Sequence, residues 1–324
     1  AMAPGALSQE QRQALKNAVR NLVLSGAELD GADKERFAQI LERQAELAQK
    51  FSENALDATD GYAYYAQADA LDGVPVDVQQ TALAAALAEG KQGYKLTLKM
   101  PCYLPVMQFA CSSALRERLY RAYVTRSSDQ AEGEATKYDN TAVMQEILVL
   151  RQEEARLLSY ANFGEVSVVP KMAKSADEVI AFLRDLGQRA RPFAEKDVTD
   201  LRAFASKHLD LPNPQAWDWP YVAEKLKESR YAFSEQEVKQ YFTAPKVLAG
   251  LFKIIETLFD VSISSDQAPV RNPAVAFYRI ERAGTLLGQF YLDQPARTGK
   301  RGGAWMDDVR TSWLRRDNGT LLTP

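Results

Sequence analysis

The stretch ADKERFAQILERQAELAQKFSENAL, Ala32 to Leu56, sets the reading of the whole chain. Phe37, Ile40, Leu41, Leu47 and Phe51 recur at helical spacing among Lys, Arg, Glu and Gln. The segment is therefore a long helix with one apolar side that needs a partner. The residues before it offer one. Ser8 caps a run in which Leu15, Val19, Leu22 and Val23 share a face and which stops at Ser25-Gly26, so the two read as an antiparallel helical pair.

Working outward, Tyr62-Ala-Tyr64-Tyr65 and Tyr94-Lys-Leu96-Thr-Leu98 are rich in β-formers and read as short strands on either side of a helix over Val76–Glu89. Helical periodicity returns after Pro105, over Ala114–Thr125 and Thr141–Tyr160, and then in a long segment opened by the capping-box spacing Ser175-x-x-Glu178. Pro192 is expected to kink or break that last helix, because it has no amide proton and clashes with the previous turn. Pro220, after Trp217-Asp218-Trp219, suits the first turn of a helix running to Ser229. Ser234-Glu-Gln-Glu237 is a second capping-box spacing that leads into Val238–Phe242. Pro245 then opens an apolar helix through Leu251, Phe252, Ile254, Ile255, Leu258 and Phe259.

The pattern changes after Asp260. Val261-Ser-Ile263, Val275–Glu281 and Leu286–Leu292 have strand composition, with a hairpin turn expected at Arg282-Ala-Gly284. The fold class is thus mainly α, a multi-helical body with small β elements near residues 60–100 and 261–310. Residues 1–6 read as a cloning remnant, residues 7–245 as the helical body with its β insertion, and residues 246–324 as the start of a second lobe, a helix followed by strands.

Composition narrows the function. With 46% hydrophobic and 26% charged residues the chain has the balance of an ordinary globular protein. Its 40 basic and 43 acidic residues give a net charge of −3, so no broad positive field draws a phosphate backbone, and nucleic acid is not an expected partner. No apolar run approaches the roughly 18–20 residues that span a bilayer, so no membrane association is expected. The two cysteines, Cys102 and Cys111, follow no framework spacing. They fit two free thiols in a reducing compartment, with a single disulfide between them left open, and the cytoplasm is the expected location.

Common catalytic sets are missing. The only histidine, His208, follows Lys207 near a helix end, where it suits solvent or the helix dipole better than catalysis. One histidine and two distant cysteines supply no recognisable zinc set. The adjacent carboxylates Glu153-Glu154 and Asp307-Asp308 read as solvated surface. There is no G-x-S-x-G elbow and no phosphate-cradling glycine loop. Gly299-Lys-Arg-Gly302-Gly303 is basic and glycine-rich, which reads as a flexible turn before an anion site. Tyr62, Tyr64, Tyr65, Trp217 and Trp219 read as aromatics that close a core.

The collinear order of several blocks carries more. Phe51-Ser-Glu-Asn-Ala-Leu-Asp57, Tyr103-Leu-Pro-Val106, Leu119-Tyr-Arg-Ala-Tyr123, Lys171-Met-Ala, Trp217-Asp-Trp, Tyr241-Phe, Phe290-Tyr-Leu-Asp293 and Lys300-Arg-Gly-Gly-Ala-Trp305 follow one another from about Leu7 to the end of the chain. In that order they resemble the thimet-oligopeptidase family of zinc metallopeptidases. The resemblance implies a two-lobed, mostly helical shell around a deep channel that admits short peptides. It also implies a zinc ion held by a His-Glu-x-x-His helix and a downstream glutamate, with the motif's own glutamate activating water.

This sequence contains no His-Glu-x-x-His. The resemblance therefore makes it an internal piece, inactive alone, whose partners are short peptides and a missing catalytic half. Zinc is expected in the complete family enzyme and not in this chain, and no catalytic or metal residue is assigned. Gly302, Gly303, Ala304 and Trp305 resemble the strand that lines the cleft in this family, and they are the expected substrate-binding residues. A strand edge pairs with an extended peptide through main-chain hydrogen bonds, and small residues let the backbones approach. The alternative is a shortened, non-catalytic paralogue that binds peptides or a partner protein.

Overall fold

The computed structural model describes residues 7–233, 235–297, 299–315 and 317–324. The supposed remnant at residues 1–6 and Ser234 of the second capping box lie outside them. The chain opens with α1 (Gln9–Leu24) and α2 (Gly31–Asp60), as the amphipathic pattern requires. Ser8 forms a full capping box with Gln11, each side chain accepting from the other residue's backbone N–H.

A two-stranded antiparallel ladder follows, β1 (Tyr64–Ala66) against β2 (Tyr94–Leu96), with α3 (Val76–Ala88) between them in sequence. Then come α4 (Met100–Phe109), α5 (Ser113–Val124), α6 (Thr141–Leu157), α7 (Phe163–Val168), α8 (Ala176–His208) and α9 (Trp219–Tyr231). The short α10 (Glu235–Lys239) leads to α11 (Ala244–Phe259). The main core gathers Leu71, Leu96, Leu98, Val106, Met107 and Leu119 beneath this ladder, with Tyr103 stacked on Tyr123 at 4.1 Å. A smaller core holds α2 on α6 through Ile40, Leu47, Val143 and Leu150. Two bidentate pairs flank it: Arg36 on Glu153 and Arg43 on Glu146.

The mainly α class is borne out, and four details correct the expectation. Pro192 does not end its helix, because α8 runs unbroken for 33 residues. The residues around Pro192 are exposed, so water can take the carbonyl that the missing N–H leaves free. Second, α4 lies in a stretch to which the sequence reading assigned no element. Pro101 stands in its first turn, where no amide proton is required, and Pro105 is carried within this ten-residue helix. Third, α7 was not expected; Asn162 caps it by accepting from the Glu165 N–H. Fourth, β6 (Trp313–Leu314) pairs with β7 (Leu321–Leu322), beyond the stretch in which strands were expected.

The capping spacing at Ser175 works in modified form. Its hydroxyl accepts from the Glu178 N–H, while the Glu178 carboxylate accepts from Lys174, one residue earlier than the usual box. His208 ends α8 with its ring on Phe204, the dipole position anticipated for it.

The last part is an antiparallel sheet of order β3 (Ser262–Ser265), β4 (Ala276–Arg282) and β5 (Thr285–Leu292). The β4–β5 turn falls on Ala283 and Gly284, with φ of 48° and 76°. Two consecutive positive φ values make the tight hairpin turn whose twist matches the strands. Tyr278 stacks on Phe290 directly across the ladder, and Phe252 of α11 meets both edge-on, seating the helix on this face.

Candidate functional site

The expected substrate segment lies in the connection between β5 and β6, and local chemistry fixes its base. The Asp293 carboxylate, at the end of β5, takes both guanidinium nitrogens of Arg297 at 2.6 and 2.8 Å. The Lys300 ammonium reaches the same carboxylate at 3.2 Å and donates to the carbonyls of Asp293 and Pro295. Hydrogen bonds from Arg297 and Lys300 hold the Asp293 carboxyl well below the usual carboxylate range, against a smaller opposing effect of desolvation. Lys300 thus spends its charge within the turn, whereas Arg301 beside it is exposed.

A second anchor ties this turn to the helical body. The Gly299 N–H donates to the Asp60 carboxylate at 2.8 Å, and the Lys99 ammonium holds the same carboxylate at 3.0 Å. Asp60 is the last residue of α2 and Lys99 the N-cap of α4, so one carboxylate joins the two helices to the connection. Sequence reading missed Asp60, Lys99 and Arg297. The only local signal was the four-residue spacing of Asp293 and Arg297, whereas Asp60 is 239 positions from Gly299.

Beyond this base, Gly302, Gly303, Ala304 and Trp305 follow one another as one exposed segment with a bend at Gly303. They form no strand here, which corrects the expectation of a cleft-lining strand within this chain. Nothing lies within 4 Å of where a Cβ would stand on Gly302 or Gly303, so neither glycine is relieving a crowded contact. Gly303 has φ of +101°, a backbone state that side chains oppose. The apolar side chains that follow stand open: Trp305 is 69% exposed and Met306 90%. In β5, the strand that precedes the segment, the Gln289 N–H donates to the Pro324 carbonyl at 3.0 Å.

The side chains do not fit a zinc centre. Among the described residues no group of three or more His, Cys, Asp or Glu is placed to hold a metal. His208 stacks on Phe204, the Cys102 thiol accepts from the Thr97 N–H, and Cys111 lies beside the Tyr221 hydroxyl. Both thiols are free, so no disulfide joins them. No helix among the described residues is long and apolar enough to cross a membrane.

Tyr62, Tyr64 and Trp217 pack on the main core as expected, whereas Tyr65 donates to Glu89 and carries Lys91 over its ring, and Trp219 lies beneath Arg202. Trp217 packs against the main core and donates from its indole nitrogen to the Ser113 hydroxyl at 3.0 Å. Its neighbour Asp218 is buried and paired with Arg116 of α5.

Comparison with known proteins finds relatives along nearly the whole chain. Oligopeptidase A of Salmonella typhimurium is 41% identical over 98% of this chain and 47% of its own length. Oligopeptidase A of Escherichia coli is 40% identical over the same shares. Dipeptidyl carboxypeptidase of Escherichia coli is 28% identical over 92% of this chain and 44% of its own length. The chain spans about half the length of the curated relatives it matches. The pattern of Peptidase family M3 matches residues 106–323, from α4 to the last strand, and the chain belongs to that family.

Proposed function

We propose that this chain is part of a zinc-dependent oligopeptidase that hydrolyses short peptides inside a channel. Residues 7–245 supply helical shell, and residues 246–324 begin the catalytic lobe. The observation that carries the reading is the similarity to oligopeptidase A, collinear over 98% of the chain. The metal and the water-activating glutamate belong to the remaining polypeptide, because the side chains here do not fit a zinc site. Alone, the chain does not cut peptides. Two free thiols support a reducing compartment, the cytoplasm, as its working place.

Within that enzyme, Gly302–Trp305 is one wall of the peptide cleft. Its exposed backbone offers N–H and C=O groups to an extended peptide, and the absence of side chains at two successive positions lets that peptide approach. Trp305 supplies an apolar surface at the end of the segment.

The test is Gly302→Val in the full-length gene product. Gly302 has open space around it and no positive φ, so the substitution leaves the fold unchanged and alters only the approach of a peptide. The KM for a short peptide is expected to rise by about tenfold with kcat little changed, the pattern of lost ground-state binding. An unchanged KM excludes the segment as a substrate wall. A reading frame beyond Pro324 without His-Glu-x-x-His removes the peptidase reading itself.

A further inference from the structure

The helix α11 has two apolar sides, and the sheet covers one. Phe252 packs on Tyr278 of β4 and Phe290 of β5, and Leu248 and Ile255, on the same side of the helix, are half-buried like it. Val247, Leu251, Ile254 and Leu258 form a second stripe at helical spacing, 45, 47, 58 and 71% exposed respectively. The two stripes adjoin, so the apolar arc is about twice as wide as the surface that seats it. An arc of that width marks an interior helix rather than a surface one.

We propose that the outer stripe of α11 is the seat of the polypeptide by which the oligopeptidase relatives exceed this chain. Three observations choose that occupant. The relatives are about twice as long as the chain, so an equal mass of protein needs a place to pack. Lys246 and Lys253 line one side of the stripe and form no ion pair among the described residues, so the matching surface is apolar with carboxylates along one border. Gly250 lies between these lysines with open space at its Cβ position, which lets a second helix approach closely at that level.

A second copy of the chain suits the stripe less well. A 16-residue helix is about 24 Å long, and four side chains on one face offer roughly a few hundred Å². Stable association between separate proteins buries about 1,200–2,000 Å². A covalently continuous partner escapes that requirement, because linkage raises its effective concentration. The inference takes from the peptidase reading only that the further polypeptide exists.

The test compares thiol labelling in this chain and in the full-length gene product. Leu251→Cys and Leu258→Cys are made singly, with Cys102 and Cys111 replaced by Ser, and treated with a maleimide. Val76→Cys, at a 67% exposed position on α3, serves as the reference. Positions 251 and 258 are expected to label at least tenfold more slowly in the full-length product, with position 76 unchanged. Equal rates in the two proteins overturn the proposal. So does a frame that ends at Pro324, or shielding that appears in this chain alone as its concentration rises, which would assign the stripe to a second copy. Labelling does not depend on hydrolysis, so an inactive full-length product with shielded cysteines would refute the peptidase reading and leave this one standing.

Discussion

Arg116 of α5 and Asp218 at the start of α9, 102 positions apart, meet at 2.6 Å with side chains only 1% and 2% exposed. The site is closely furnished. Ser113 and the Gln215 N–H also donate to the Asp218 carboxylate, Arg116 donates to the carbonyl of Cys111, and the guanidinium lies 4.3 Å from the centre of the Tyr221 ring. This pair fixes α9, and with it the end of α8, to the main core. Asp218→Ala leaves a buried cation without its counter-ion and is expected to cost about 3–5 kcal/mol in urea unfolding. Replacing both residues with apolar ones of similar volume should recover much of the loss. A single substitution as mild as a surface change would contradict the role given to the pair.

The α2–α6 packing makes a separate prediction. Ile40 is wholly buried between Leu47, Val143 and Leu150. Ile40→Ala should lower the unfolding free energy by about 2–5 kcal/mol, since it leaves a cavity as well as losing apolar burial. Leu148→Ala, at an exposed position on the same α6, should change it by no more than about 0.5 kcal/mol. Equal effects at the two positions would show that the small core does not hold these helices together.

Legibility in the sequence followed the range of each interaction. The long helices, their caps and the β4–β5 hairpin declare themselves within a few residues, through periodicity, Ser8, Ser175 and Ala283-Gly284. The pair at Arg116 did not. Arg116 looks like one of several arginines on an amphipathic helix, and its partner is on another element. The available signal was that Arg116, three positions before Leu119, borders the apolar face of α5 rather than standing opposite it. Likewise the anchoring of the connection at Gly299 by Asp60 and Lys99 was not legible, because those contacts are made only in the folded chain.

Acid should loosen the α2–α6 clamps in a defined window. Hydrogen bonds from Arg43 and Arg36 lower the carboxyls of Glu146 and Glu153 below their ordinary value of 4.5, despite some desolvation. The folded chain therefore holds fewer protons than the unfolded one as pH falls through this range. The clamps' contribution is complete above pH 4.5 and is lost as pH drops below it through the folded values. The stability difference between the parent and an Arg36→Gln, Arg43→Gln double variant should be equal at pH 7 and 6 and shrink below 4.5. A difference that grows in acid would contradict this assignment.

The two thiols should differ in reactivity. Cys111 is exposed, whereas Cys102 is half-buried and burial pushes its thiol above its ordinary value. In the native chain a disulfide reagent at pH 8 should modify Cys111 quickly and Cys102 slowly, because the thiolate is the reacting form. Urea should bring the two rates together. Two equally fast native thiols would contradict the packing of α4.

The division of labour within the peptidase is the central claim, and hydrolysis tests it most directly. This chain, supplied with zinc and given an internally quenched short peptide, should show no turnover that a chelator removes. Turnover that requires zinc and disappears with the chelator would mean that the chain carries a metal centre of its own, and would contradict the account.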